Sequence, residues 1–132
     1  MKVIPLTEMD TLTWQTFCKE NELMNKETFP DNGYAVLSSH EMIGYFELEL
    51  MEDYQYWLKQ LYIIRNEAGK LPVLLEYILL LAKEKEATVI YAHSEQPVTD
   101  LLLESMCFSL QINSNELQKR RKSGNWWSYK VS

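Results

Sequence analysis

Glycine and proline are scarce, at 4 residues each in a chain of 132. That excludes collagen-like and low-complexity chains and leaves little room for linkers. Cysteine is scarcer still, with only Cys18 and Cys107. Neither belongs to a CxxC pair or a Cys/His cluster, so no disulfide framework and no metal site is expected. Both lie in apolar helical contexts and read as buried free thiols. Long hydrophobic runs are missing too. The longest, "YILLLA" at 77–82, falls far short of the roughly 20 residues that span a bilayer. The opening "MKVIPLTEMD" has no signal-peptide pattern, so the chain reads as cytoplasmic, with no membrane partner. Positive charge is in deficit, with 13 Lys and Arg against 19 Asp and Glu. The net charge of −6 argues against wholesale nucleic-acid binding.

What is present suits one globular domain over 1–132, with 46% hydrophobic and 24% charged residues. "KVIPLT" (2–7) reads as a strand, with Pro5 at an edge or bulge. "TLTWQTFCKENELM" (11–24) reads as a helix with Leu12, Trp14, Phe17, Cys18 and Met24 along one side. Residues 25–33 are turn-rich. "YAVLSS" (34–39) and "IGYFELEL" (43–50) form a hairpin about a turn at "HEM", and "YQYWLKQLYII" (54–64) is a third strand. Alternation puts Tyr45, Glu47 and Glu49 on one face and Phe46, Leu48 and Leu50 on the other. "LPVLLEYILLLAKEKE" (71–86) is apolar nearly all round and should be a buried helix. "TVIYAH" (88–93) reads as a buried strand of the parallel type. "QPVTDLLLESMC" (96–107) reads as a helix with Val98, Leu101, Leu102 and Met106 inward. "FSLQI" (108–112) and "NWWSYKVS" (125–132) are strands joined by a polar loop. The order is β-α-β-β-β-α-β-α-β-β, a mixed α/β sheet of the α+β kind.

Two stretches carry a resemblance: "LKQLYIIRNEAGKLPVLLEYILLLA" and "QPVTDLLLESMCF". In order and place they resemble the GNAT superfamily of N-acetyltransferases, over nearly the whole chain. The resemblance implies an acyl-CoA N-acyltransferase fold, acetyl-CoA or another acyl-CoA as cofactor, and a small-molecule or peptide amine acceptor. The family grips pyrophosphate with a glycine-rich turn ahead of a helix, using exposed N–H groups and the helix dipole. By resemblance Ala68, Gly69, Lys70, Leu71 and Val73 occupy that turn. The backbone of Leu61, Tyr62, Ile63 and Ile64 would line the pantetheine arm, and Gln96 would be a further cofactor contact. Gly69-Lys70 agrees with the family pattern. Leu71 and Val73 stand where it has glycines, with Pro72 between them. Leu103 replaces its tyrosine acid, Cys107 its glycine, and Lys59 the glutamate it often uses as a base.

Acetyl transfer from a thioester needs a neutral amine, hence a base. Glu47 and Glu49 are the carboxylates to take that role; a solvated acidic stripe is the competing reading. His93 is a proton relay or a capping residue, and His40 belongs to a turn. "KRRK" (119–122) is a solvated loop, or attracts an acidic acceptor, a coenzyme A phosphate or nucleic acid. One of Trp126 and Trp127 should pack in the core, leaving the other for the acceptor cleft or an interface such as a homodimer's. Two functions stay open. One is a small acetyl-CoA-dependent N-acetyltransferase. The other is a binding or regulatory module on the same fold that has lost acetyl transfer.

Overall fold

The computed structural model describes residues 1–23, 32–112, 115–121 and 123–131. The expected order of elements is present, with one helix more than expected. Hydrogen bonds join seven strands in the order β1-β2-β3-β4-β5-β7-β6. The strands are β1 Lys2–Pro5, β2 Gly33–Ser38, β3 Glu41–Glu52, β4 Gln55–Ile63, β5 Val89–Ser94, β6 Ser109–Gln111 and β7 Asn125–Lys130. The helices are α1 Thr11–Glu20, α2 Leu71–Glu84, α3 Pro97–Ser105 and α4 Asn115–Arg120. Two compact units divide the chain: Met1–Leu48 with Gln60–Gly69, and Glu49–Lys59 with Lys70–Ser132.

In the first unit β1 pairs antiparallel with β2, from Lys2↔Leu37 to Pro5↔Tyr34. A 3-10 turn at Leu6–Glu8 follows and buries Leu6. Asp10 then caps α1: one carboxylate oxygen accepts the Thr13 N–H and the other the Thr13 hydroxyl, each at 2.7 Å. Those bonds favour the ionised form and hold the Asp10 carboxyl below its ordinary value. Trp14, Phe17 and Cys18 of α1 are buried with Leu6, Ala35 and Tyr45. Leu12 is not part of that face; it is 73% exposed. Met24 and most of the expected turn at 25–33 lie outside the described residues.

The hairpin between β2 and β3 turns at Ser39 and His40, not at 40–42. Both residues have positive φ (50 and 69), as a two-residue primed turn requires, so β3 already begins at Glu41. Gly44 on β3 has no room for a side chain: a Cβ there would lie 2.4 Å from the Tyr62 carbonyl oxygen. Tyr62 in turn packs edge-on against Phe17 and donates its hydroxyl to Asn21 Oδ1 at 2.9 Å.

Tyr45 is 5% exposed and meets Trp14 edge to face at 5.1 Å. Its phenol is pushed up to about 12, first by burial, then by the negative charge of Glu47, then by Cys18.

In the second unit β4 and β5 are parallel, from Gln55↔Val89 to Leu58↔Ala92. β7 runs antiparallel to β5 on its other side, and β6 pairs with β7. α2 opens with Pro72 in its first turn, where a missing N–H costs nothing. It buries Leu74, Leu75, Ile78 and Ala82, yet Val73, Tyr77 and Leu80 are 57%, 40% and 64% exposed. The helix is therefore covered on one side only, although its sequence is apolar nearly all round.

α3 has rotated relative to expectation. Leu103 is its buried residue, whereas Val98 and Leu101 are 76% and 67% exposed. Leu101-Leu102-Leu103 occupies so wide an arc that periodicity does not fix which edge faces the core. Cys107 ends α3 in a left-handed conformation (φ 69) and is exposed, so only Cys18 is a buried thiol. The expected loop before β7 contains α4. Its Leu117 is buried with Trp57 and Trp126. Trp126 and Trp127 are both buried, at 4% and 6%, so neither is left for a cleft or interface. Among the described residues no helix is long and apolar enough to cross a membrane.

Three outcomes follow from this packing. Gly44→Ala should lose about 1–3 kcal/mol in urea unfolding, because strand backbone must move. Gly69→Ala should be neutral or gain up to about 1 kcal/mol, since its φ is not positive and a Cβ meets nothing within 4 Å. Tyr45 stabilises the fold fully below pH 10. Between pH 10 and about 12 only the unfolded state sheds the phenolic proton, so stability falls as pH rises. In Tyr45→Phe that part of the alkaline decline should disappear from unfolding curves taken across this window.

Candidate active site

β4 changes character partway along. Its parallel pairing with β5 stops at Leu58↔Ala92. Two residues later Gln60 has φ 57, a left-handed residue in mid-strand that marks a bulge. Before it, Trp57 packs with Leu117 and Trp126; after it, Tyr62 and Ile64 pack with the α1 cluster. Leu61, Tyr62, Ile63 and Ile64 are all half-buried, and the Ile64 N–H donates to the Ile43 carbonyl at 2.8 Å.

The segment after β4 is not an open loop. Residues Arg65–Lys70 form a 3-10 turn, and Glu67 N–H donates to the Ile64 carbonyl at 3.0 Å. In such a turn amides are directed at carbonyls three residues back. Ala68 and Gly69 are exposed; Lys70, as the α2 N-cap, and Leu71 are half-buried. Val73 is exposed in the first turn of α2.

Of the expected carboxylates, Glu47 is buried at 5% and is not part of a solvated stripe. The alternation through β3 is incomplete as well. Tyr45, Phe46, Glu47 and Leu48 are all buried, and Leu50 is 57% exposed. Glu49 is half-buried and engaged by two cations. Lys59 Nζ lies 2.9 Å from its Oε1, and Arg120 Nη1 lies 3.8 Å from its Oε2. Lys59, at the position where the family often has a glutamate, is thus an ion-pair partner of a glutamate on the preceding strand.

Gln96 is exposed and begins α3. Its N–H donates to Ser94 Oγ at 3.2 Å, and its carbonyl accepts from the same hydroxyl at 3.0 Å. Leu103, in the place of the family's tyrosine, is a buried hydrocarbon with no proton to give. His93 Nε2 donates to the Ser123 carbonyl, and its ring lies 5.1 Å from Trp126. That geometry makes it a strut for the chain before β7. Among the described residues no group of three His, Cys, Asp or Glu is arranged to hold a metal ion.

Two features escaped the sequence reading. Gln60 carries no sign of its left-handed backbone, because glutamine is not a residue type that favours positive φ. The cations around Trp57 come from residues far apart in sequence. The only hint was "KRRK" lying shortly before "NWW".

No family model and no curated protein sequence matches this chain. Solved structures do match it along its length. An acetyltransferase of the GNAT family from Staphylococcus aureus shares 13% identity with a TM-score of 0.72, covering 99% of each chain. A Bacillus subtilis acetyltransferase in complex with CoA shares 11% with a TM-score of 0.71, again over 99% of each. A Campylobacter jejuni N-acetyltransferase in complex with acetyl coenzyme A shares 15% with a TM-score of 0.69, also over 99% of each. With the order of strands and helices described above, these matches establish that the chain has the fold of the GNAT acetyltransferases.

Proposed function

We propose that this protein is an acetyl-CoA-dependent N-acetyltransferase that acts on an amine by direct transfer. The observation that carries the reading is the break in β4. Pairing with β5 ends at Leu58, and the strand then runs on through Gln60 to Ile63. An extended arm with amide groups can pair with such a strand as an added strand would. The backbone of Leu61, Tyr62 and Ile63 suits that role whatever its side chains; Ile64, the fourth expected residue, already donates its N–H to the Ile43 carbonyl, and its own carbonyl accepts from the Glu67 N–H. The fit is poorer at the expected pyrophosphate turn. There Ala68, Gly69, Lys70, Leu71 and Val73 would supply amides from a 3-10 turn and a helix start. Gln96 would add a side-chain amide at the start of α3.

Acetyl-CoA supplies a thioester carbonyl open to attack by an amine. Glu47 or Glu49 would take the amine's proton as the C–N bond forms and the C–S bond breaks. A backbone N–H near Ile63 would donate to the carbonyl oxygen as charge builds on it. Leu103 cannot protonate the departing sulfur. A simple thiol with a pKa of about 8.5 needs only water for that step near neutral pH.

A second reading is a binding or regulatory module that keeps the fold without the chemistry. The closed 3-10 turn at Arg65–Lys70 and the buried Leu103 favour it. Thermal shift separates the two. Acetyl-CoA at about 100 times its dissociation constant should stabilise the fold by about 2.7 kcal/mol. No shift at millimolar cofactor selects the module. In the transferase, Glu47→Gln or Glu49→Gln should lower kcat by about 100-fold or more in a free-thiol assay. If neither variant slows turnover, the base lies elsewhere.

A further inference from the structure

Trp57 is buried on β4 beneath three cations. Lys59 Nζ lies 5.3 Å from its ring centroid, Arg120 Cζ 5.9 Å and Arg121 Cζ 5.8 Å. An indole face attracts each cation singly, but three together repel one another. Glu49 answers two of them, Lys59 and Arg120. Arg121 is exposed and lies outside both of those ion pairs. A chain of net charge −6 thus carries a local surplus of positive charge on an aromatic platform.

The backbone holding these arginines is fixed at several points. Leu117 seats α4 on Trp57 and Trp126. The Arg121 carbonyl accepts from Trp126 Nε1 at 3.4 Å. The Ser123 carbonyl accepts from His93, and the Ser123 hydroxyl donates to Glu95 at 2.9 Å. Gly124 has φ 81, and a Cβ there would lie 2.4 Å from the Ser94 carbonyl oxygen, so the chain passes against β5 where only glycine fits. Beside the cluster is a cleft of about 330 Å³, floored by Met51, Leu117 and Tyr91. Its rim carries Lys119 and Arg120 but also Glu52 and Glu116. Cations and carboxylates set over an apolar floor suit a small molecule that bears both an amine and an acid.

We propose that the acceptor is an amine that also carries a carboxylate, and that Arg121, with Arg120 and Lys59, binds this carboxylate over Trp57. A guanidinium presents a planar fork that matches a carboxylate. Calling the ligand an acceptor rests on the transferase reading; the carboxylate site does not.

Calorimetry on the full chain, with and without coenzyme A, tests the proposal using α-amino acids and the matching decarboxylated amines. Some carboxylated members should bind, and Arg121→Gln should weaken them by about 10- to 100-fold. Arg121→Lys should keep part of that affinity, and the decarboxylated amines should not respond to either variant. Three results would overturn the proposal: no carboxylated amine binds at millimolar concentration, Arg121→Gln weakens both classes alike, or it weakens coenzyme A instead. Binding of a carboxylated amine without its acetylation would support the carboxylate site and remove the transferase reading.

Discussion

The left-handed residue Gln60 governs what β4 can do. One strand contributes side chains to two separate clusters, and Gln60 lies between the two contributing stretches. Before Gln60, Trp57 reaches Leu117 and Trp126; after it, Tyr62 and Ile64 reach Trp14, Phe17 and Tyr45. The positive φ at Gln60 bends the strand between these two stretches. It coincides with the end of the parallel ladder to β5, which leaves the strand free of that neighbour's register.

Much of the frame was legible from periodicity. Strand-forming stretches, the hairpin and the positions of α1, α2 and α3 follow from apolar spacing and turn residues. Failures occurred where spacing is degenerate. Three successive leucines in α3 leave its phase open, and an all-apolar α2 does not say which side lacks a cover. α4 was missed because a six-residue helix has too few turns to show a period. Leu117 was its one apolar anchor, and its partner Trp57 is 60 residues away. At the candidate site, family resemblance singled out residues between 61 and 73 but could not say that Arg65–Lys70 closes into a 3-10 turn. The engagement of Glu49 by Lys59 and Arg120 was equally out of reach, since it depends on a distant helix.

Substitutions at the site have unequal physical weight. Leu71, Pro72 and Val73 lie at a helix start, where backbone amides persist for every residue except proline. Leu103, where the resemblance implies a tyrosine, has no proton to give a departing thiolate, a step that water can take instead. Lys59 differs in kind, because it reverses a charge. Glu49 across from it is its ion-pair partner at 2.9 Å.

Scarcity of glycine leaves a mark on the backbone. Among the described residues eight that are not glycine have positive φ, including Ser39, His40, Gln60 and Cys107. Each carries about 1 kcal/mol of steric strain relative to glycine. The same side chains stiffen the unfolded chain, which offsets part of that strain. The turns thus hold a latent reserve: natural drift toward glycine or asparagine at their tips would relax the native state without touching either core. Such drift could absorb destabilising changes elsewhere, giving the loops that frame the candidate site latitude to vary.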